Sequence, residues 1–374
     1  MNDAFGQATM MKILDHGTIY RNPEPHRTSE YVAMPCMVAM PDDTLVCACR
    51  HGSARESVDG VVKVHRSTDG GATWQCAGVI CEPGRDADGP QWPGGLAVLP
   101  DREVVACVKV RPRIEERGAN YLVRSQDGGR SWSPPEAVTM RPYGNVGSVG
   151  NLTGLADGTL IATGEGRGDG KLVPEEQWAT LITRSADRGR TWDDIQPAHV
   201  SADPYYFDLA ITQLADGRLL AAYWTHDMRL DRGLNVHLAC SADLGRTWTE
   251  PWDGGFWGQR TDLVTLRSGR VIAVTNHRRP PLGIRALQSE PDGTSFRDSD
   301  HVEIWGIEPA QVRAAPVLEK KQDREQDALH AWHHFTFGVP AVARLSDGVI
   351  VVAYYVTEDS VTYVRCCRMV EAGS

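Results

Sequence analysis

The sequence predicts an all-β fold, a propeller of six four-stranded blades, and two periodic features carry this prediction. The first is an octad with the pattern Ser-x-Asp-x-Gly-x-Thr/Ser-Trp, which occurs four times with its aspartates 56–60 residues apart. The second is an apolar strand, a short polar turn and another apolar strand, which occurs six times at intervals of 52–79 residues. Repeats of this length that hold four short strands are typical of propeller blades.

The four octads are predicted to be structural turns. The aspartate of each can bond the turn backbone, the glycine permits a positive φ, and the tryptophan can pack between strands. A fifth, degenerate copy, SEPDGTSF at 289–296, has Pro291 in the aspartate position. The aspartates of the four complete copies are Asp69, Asp127, Asp187 and Asp243.

The strand–turn–strand repeats are predicted to be β-hairpins, because Asp and Gly fill the turns between β-branched and leucine-rich runs. The last interval is the longest, and the segment 319–332, EKKQDREQDALHAW, is predicted to be a helical insertion there. The last blade has no fourth-strand signal before the C-terminus. The early segment MMKILDHGTIY is expected to supply that strand, so that the N-terminus closes one domain over residues 1–374. The turns begin at Asp42, Asp101, Asp157, Asp216, Ser268 and Asp347.

Composition excludes several classes of partner. The 39 Lys and Arg against 49 Asp and Glu give a net charge of −10, which argues against a nucleic-acid or anionic-membrane partner. No apolar run approaches the roughly 20 residues of a membrane span. The N-terminus lacks the features of a secretory signal, and the nine cysteines suit neither a disulfide framework nor a zinc site. We therefore expect a cytoplasmic protein without a metal or cofactor; the oligomeric state is left open.

The octads resemble the Asp boxes of the sialidase (neuraminidase) superfamily, and the resemblance covers nearly the whole chain. It implies a six-bladed propeller that acts on a carbohydrate, with the Asp boxes on the face away from the active site. Active sialidases have an arginine triad and a nucleophilic tyrosine. The positions that correspond to two of those arginines and to the tyrosine hold Ala33, Trp224 and Val339 here. The resemblance therefore implies the fold but not the hydrolysis of ordinary sialosides.

Two acidic positions of the superfamily are matched. Asp208 corresponds to the glutamate that partners the tyrosine, and Glu56, or alternatively Asp59, corresponds to the general acid. Arg260 is one blade further along at the same depth. The apolar surroundings of Asp208 would raise its pKa unless a cation such as Arg260 stands beside it.

The hairpins also predict which residues face the axis. Residues about eight positions from each turn should lie at the opposite end of the blade, although an error of one residue would reverse a side chain. The residues eight positions before the turns are Met34, Pro93, Val149, Asp208, Arg260 and Val339. Those eight positions after the turns are Arg50, Lys109, Glu165, Trp224, Asn276 and Tyr355.

These positions predict a glycoside hydrolase that acts on a terminal sugar. Glycoside hydrolysis needs a proton donor and a second carboxylate, and the candidate catalytic residues are Asp208, Glu56 and Glu165. Trp92 and Trp224 could stack on a sugar ring, and the cations would suit an acidic sugar. The remaining candidate substrate-binding residues are Arg50, His51, Lys109, Arg167, His226, Arg260, His277, Arg278 and Tyr355.

Two alternatives stay open. A polysaccharide lyase would use an arginine to neutralise a uronate and His226, His277 or Tyr355 to take the C5 proton. A propeller that binds a sugar without chemistry would explain why the sialidase positions are not matched. The many ionisable groups at one end of the blades favour an enzyme over the second alternative.

Overall fold

The structure is a computed structural model that describes residues 11–82, 89–110, 119–138, 150–168, 170, 173–175, 177–307 and 336–372. Within these residues the regular elements are strands, apart from one 3-10 turn at Asp298–Asp300. The strands form six separate antiparallel sheets. The predicted all-β fold of six blades is confirmed.

The first three blades follow the chain in order, and each has its first strand innermost. Blade 1 contains β2 (Tyr31–Ala39), β3 (Leu45–Gly52), β4 (Val61–Ser67) and β5 (Gln75–Val79). Blade 2 contains β6 (Gln91–Val98), β7 (Val104–Val110), β8 (Ala119–Ser125) and β9 (Glu136–Ala137). Blade 3 contains β10 (Asn151–Gly154), β11 (Leu160–Arg167), β12 (Trp178–Ser185) and β13 (Gln196–Ser201).

The last three blades have the same order, with one addition and one closure. Blade 4 contains β14 (Tyr205–Gln213), β15 (Leu219–Asp227), β17 (Asn235–Ser241) and β18 (Trp252–Trp257), and the short β16 (Arg232–Gly233) pairs with β15. Blade 5 contains β19 (Thr261–Thr265), β20 (Val271–His277), β21 (Gly283–Gln288) and β22 (Val302–Gly306). Blade 6 contains β23 (Phe337–Arg344), β24 (Ile350–Glu358), β25 (Val361–Glu371) and the N-terminal β1 (Met11–Tyr20).

The blades form a closed ring. Each innermost strand contacts the innermost strand of the next blade, and β23 of blade 6 contacts β2 of blade 1. The strand β1 pairs antiparallel with β25 from Met11 opposite Glu371 to Tyr20 opposite Val364. The prediction that the N-terminal strand completes the last blade is confirmed.

Apolar side chains between adjacent blades form the core. The second strands are the most buried, and every residue of β3, β7 and β20 is buried. Between blades 5 and 6, for example, Ile272 and Val274 belong to the same apolar cluster as Val352 and Tyr354. Because both faces of a second strand pack against neighbours, these strands are continuous apolar runs.

The octads form the turns between the third and fourth strands of blades 1 to 4. Asp69 Oδ1 accepts hydrogen bonds from the Ser67 hydroxyl (2.7 Å) and the Thr73 amide (2.9 Å). The Gly71 amide donates to the Ser67 hydroxyl at 2.8 Å. Hydrogen bonds from Thr73 lower the pKa of Asp69 to about 2. The same set of bonds is present at Asp127, Asp187 and Asp243.

The fifth copy differs from its sequence interpretation. Pro291 occupies the aspartate position in the sequence, but the next residue, Asp292, makes the side-chain bonds to the turn. Asp292 Oδ1 accepts from the amides of Thr294 (2.9 Å) and Ser295 (3.0 Å). Blade 5 therefore retains an aspartate-stabilised turn. The predicted helical insertion at 319–332 lies outside the described residues, and the single-domain assignment stays a prediction.

Removal of residues 1–20 is expected to destabilise the ring. It deletes β1 and leaves β25 as an exposed edge. It also removes the buried side chains of Met11 and Ile19, each of which contributes about 1.5–3 kcal/mol. The melting temperature should fall by about 5 °C or more, whereas removal of residues 1–10 leaves β1 intact and serves as the control. Equal melting temperatures for the two truncations would contradict closure by β1.

Candidate functional site

A cavity of about 360 Å³ lies at one end of the ring axis. All six blades contribute to it, because the first strands begin and the second strands end at this face. The third strands also begin here and run to the Asp boxes, which therefore lie at the opposite face. Each of the six blades contributes at least two residues to the lining of this cavity.

Breaks in strand pairing shape the cavity wall. The pairing of the first and second strands shifts register in blades 1, 2, 4 and 6, near the end of each first strand that borders the cavity. Three residues at these bulges have positive φ although they are not glycine: Met34 (57°), Asp208 (50°) and Val339 (47°). A bulge re-aims side chains, and all three residues line the cavity.

Two acidic side chains are adjacent in this cavity. The backbone amide of Asp208, at the bulge of β14, donates to Glu165 Oε2 at 2.6 Å. Glu165 comes from the end of β11 in the neighbouring blade. Both residues line the cavity, so the bulge of one blade brings the catalytic candidates of two blades together.

Arg260 connects this pair to the next blade. Its guanidinium lies 3.2 Å from Asp208 Oδ1 and also donates to the carbonyl of Gly150 at 3.3 Å. The sequence predicted a cation beside Asp208, and the structure places Arg260 there. Asp208 and Arg260 are each between a quarter and a third exposed, so a ligand can reach them.

Glu165 is the most perturbed carboxyl group of the site. Burial disfavours its charged form, and the negative charge of Asp208 acts in the same direction, so its pKa rises to about 8. The amide of Asp208 and the positive charges of Arg260 and Lys109 oppose this rise. A carboxyl group with this pKa holds its proton at neutral pH beside a second acid that is paired with an arginine.

Glu56 lies on the other side of the cavity, in the loop between β3 and β4. Its carboxylate is 3.7 Å from Arg55 Nε. Arg55 also donates to the hydroxyls of Tyr355 (3.3 Å) and Tyr31 (3.5 Å). Positive charge and hydroxyl groups therefore converge opposite the pair formed by Glu165 and Asp208.

Arg278 is half-buried in the cavity wall of blade 5. It donates to Gln259 Oε1 at 2.5 Å and to the carbonyl of Phe337 at 2.6 Å. The amide of Asn276 is oriented so that its oxygen also accepts from Arg278, at 2.9 Å. Burial lowers the pKa of Arg278 to about 10, which still leaves it charged at neutral pH. These bonds fix the guanidinium between blades 5 and 6.

Two tryptophans, Trp92 and Trp224, line the cavity with Lys109. The guanidinium of Arg50 lies 4.9 Å from the centre of the Trp92 ring. The ring of Trp224 packs against Phe207 with their centres 5.1 Å apart. Contacts of this kind hold the aromatic rings in place beside the polar groups of the cavity.

All three candidate catalytic residues line the cavity, as do six of the candidate substrate-binding residues, but five others do not. These five do not line this cavity, and their part in substrate binding stays a prediction. Arg50 is fully buried, because its guanidinium turns under the loop and donates to the carbonyls of Ala54 and Ser57. Arg167 is exposed to solvent beyond the cavity. The other three are His51, His226 and His277.

Each of the three histidines has a local hydrogen-bond partner for at least one ring nitrogen, whereas Nδ1 of His226 is buried without one among the described residues. His51 bonds to Glu30 at 2.8 Å, and His226 bonds to Asp231 at 2.9 Å. The ring of His277 lies against two backbone carbonyls of the turn that follows it. Among the described residues, no group of three or more His, Cys, Asp or Glu is arranged to hold a metal ion. No helix of the described chain has the length and apolar character needed to span a bilayer.

Sequence reasoning missed Arg55 as a site residue, because it lies in a loop without any repeat. Its position directly before Glu56 was the one available signal. Counting from the turns placed Asn276 near the axis, and Gln259 directly precedes the counted Arg260, but neither was chosen as a site residue. Their role, to hold Arg278, depends on contacts between strands that a single sequence does not reveal.

The family described as a BNR repeat-like domain matches residues 43–350, and the chain belongs to that family. The resemblance to the sialidase superfamily is thereby confirmed. No curated protein matches this chain. A protein of unknown function from Dyadobacter fermentans is similar over 97% of this chain and 99% of its own, with a TM-score of 0.72 and 18% identity.

Two enzymes of known activity have similar folds. The α-L-arabinanase of Penicillium chrysogenum, solved with arabinobiose, has a TM-score of 0.66 and 13% identity over 96% of this chain and 98% of its own. The Hadza microbial sialidase Hz136 has a TM-score of 0.63 and 16% identity over 94% of this chain and 68% of its own. At these identities the similarity establishes the fold.

The raised pKa of Glu165 predicts a pH-dependent cost in stability. The folded protein keeps this proton until about pH 8, whereas the unfolded chain releases it near the ordinary value of 4.5. The free energy of unfolding therefore falls as pH rises between these values. Glu165→Gln removes the cost, so its gain in melting temperature over the parent should be larger at pH 7.5 than at pH 5, by about 2 °C or more. A gain that is equal at both pH values would contradict the raised pKa.

Proposed function

We propose that this member of the BNR repeat-like domain family is a glycoside hydrolase that cleaves the bond to an acidic sugar. Glu165 is the proton donor and Asp208 is the second carboxylate. The observation that carries the proposal is the pair itself: a carboxyl group with a pKa of about 8 beside an arginine-paired acid in the axial cavity. In glycosidases, the surroundings of two neighbouring carboxyl groups give them different pKa values, and this difference decides which one acts as the acid and which one as the base.

In the first step, Glu165 gives its proton to the glycosidic oxygen as the bond to the anomeric carbon breaks. Protonation allows the leaving group to depart as a neutral alcohol. The raised pKa suits this step, because a donor must be protonated at the pH at which it works. Loss of the proton above pH 8 should therefore stop the reaction.

Asp208 would stabilise the positive charge that develops at the anomeric carbon. It either attacks that carbon directly or takes a proton from the water that attacks it. A direct attack forms a glycosyl-enzyme bond, which water then hydrolyses while Glu165 takes a proton from that water, and the two displacements together retain the anomeric configuration. A single attack by water, with Asp208 as the base, inverts it. Arg260 holds the Asp208 carboxylate in one orientation toward the cavity.

Glu56 is the alternative proton donor. It is about as exposed as Asp208, at 29%, and pairs with Arg55. Glu165 is the better candidate, because its surroundings raise its pKa to about 8 and no cation pairs with it within 4 Å among the described residues. Glu56 would then contact the leaving group or the sugar rather than protonate it.

The charges of the cavity favour an acidic sugar. Four cationic and three carboxylic side chains line it, and with Glu165 protonated the positive charges exceed the negative ones by two. The protein as a whole carries −10, so this local excess is opposite to the average. Arginine recognises carboxylate and sulfate groups through paired hydrogen bonds. The cations of the cavity are Arg55, Lys109, Arg260 and Arg278.

Sialosides are not the expected substrate. Ala33, at one arginine position of the superfamily, is fully buried. Trp224 and Val339, at a second arginine position and at the tyrosine position, present indole and isopropyl groups to the cavity. Trp224, together with Trp92, offers an apolar surface on which a sugar ring can stack.

A lyase is the second candidate, because the hydroxyl of Tyr355 lies 3.3 Å from Arg55 in the cavity. A tyrosine whose hydroxyl lies beside a cation can act as the base that takes the C5 proton of a uronate. The histidines that the sequence offered for this role lie outside the cavity. The product decides between the two reactions, since only the lyase forms an unsaturated uronate.

Asp208→Asn should reduce turnover by about 10²–10⁴-fold while the protein stays folded. Asparagine tolerates the positive φ of this position and keeps the amide that donates to Glu165. The measurement is kcat on a confirmed glycoside, with circular dichroism to check the fold. The control is Asp262→Asn. Asp262 is an acid of the next blade that lines a second cavity further along the ring axis. Near-parent turnover by Asp208→Asn would exclude Asp208 from the chemistry.

A screen of aryl glycosides and acidic oligosaccharides should find turnover on uronate-bearing or sulfated glycans and little on aryl sialosides. Reducing ends should appear without the absorbance of an unsaturated uronate. Absorbance of that kind would favour the lyase instead. Efficient cleavage of an aryl sialoside would contradict the assignment of the superfamily positions, and binding without any cleavage would leave a sugar-binding protein.

A further inference from the structure

The catalytic cavity continues into a channel along the ring axis. A second cavity of about 660 Å³ is lined by the first strands of the blades and shares residues with the catalytic cavity, among them Asp208 and Arg260. A third cavity of about 450 Å³ follows it toward the Asp-box face. Arg267 and Arg344 line both the second and the third cavity. The channel therefore has a distal mouth with two arginines.

These arginines come from neighbouring blades. Arg344 is the last residue of β23, and Arg267 lies in the turn between β19 and β20. Arg344 is half-buried, and Arg267 is exposed. The two guanidiniums are close enough that the charge of Arg267, after burial, is a cause of the lowered pKa of Arg344. The mouth thus holds two like charges beside each other.

Neither arginine has a partner among the described residues. No carboxylate lies within 4 Å of either guanidinium, and neither donates a hydrogen bond to a described residue. The contrast with Arg102 and Arg188 is clear, since these arginines of the same face pair with Asp42 and Asp101. Within the described part of the chain these two positive charges have no counter-ion, although the protein as a whole carries −10.

The acid at this mouth does not serve as that counter-ion. Asp43 lines the third cavity, but its carboxylate accepts hydrogen bonds from the amide and the hydroxyl of Ser346. A partly buried guanidinium beside another cation is costly unless an anion neutralises it. A small anion between Arg267 and Arg344 would satisfy both groups.

We propose that the distal mouth of the channel binds an oxyanion between Arg267 and Arg344. Phosphate, sulfate and the acidic group of a glycan share the chemistry that two guanidiniums recognise, namely several acceptor oxygens around one negative centre. This site is separate from the catalytic cavity and lies at the opposite end of the channel. It does not depend on the proposed reaction.

Titration calorimetry with inorganic phosphate tests the site, with sodium chloride at matched ionic strength as the reference. The parent should bind one phosphate, and Arg344→Gln and Arg267→Gln should each weaken binding about tenfold or more. Arg167→Gln is the matched control, because Arg167 is an exposed arginine at the other face and has no ion pair within the described residues. It should bind phosphate as the parent does.

A second arm identifies the source of the anion. A sugar phosphate that binds more tightly than inorganic phosphate, and loses that affinity in Arg344→Gln, would assign the site to a glycan or metabolite. Equal affinities would assign it to the free anion, and both results support the site. Absence of phosphate binding by the parent, or equal binding by all four proteins, would overturn the proposal. Arg267→Gln alters an exposed side chain, so the test does not depend on a variant that fails to fold.

Discussion

The pairing of β1 with β25 is the constraint on which the site depends. A propeller sheet that is left open exposes an edge, and only a closed ring brings the first strands of blades 1 and 6 into contact. The axial cavity takes residues from all six blades, so its shape is defined only once the last blade is complete. The backbone at one end of the chain therefore supports a cavity whose residues lie far from it in sequence.

Within the closed ring, local irregularity produces the site. Asp208 occupies a positive φ at a break in strand pairing, a conformation that non-glycine residues adopt at a cost. The gain is geometric, because the amide of Asp208 reaches Glu165 while its side chain reaches Arg260. Regular pairing would have directed one of these groups away. The Asp boxes at the other face are regular instead, since the same hydrogen bonds recur in four blades with little change.

Much of this arrangement could be predicted because propeller blades are periodic. Counting a fixed number of residues from each turn placed Lys109, Glu165 and Tyr355 at the cavity, since strands advance by a constant rise per residue. The same counting failed for Arg50, whose long side chain found carbonyl partners in a neighbouring loop. Counting from the turns could not predict Arg55, because this residue lies in a loop that has no repeat. The distances that make Glu165 and Asp208 a pair depend on packing between blades, which the repeats do not encode.

The most direct test of the account is the titration of Glu165 by carbon-13 NMR of labelled glutamate side chains. The signal that is missing from the spectrum of Glu165→Gln identifies the carboxyl carbon of Glu165. We expect the Glu165 carboxyl to titrate near pH 8 in the parent and at a lower pH in Asp208→Asn, because the neighbouring negative charge is then absent. Titration of Glu165 near the ordinary value of 4.5 in the parent, or at the same pH in both proteins, would show that the two acids do not act as a pair.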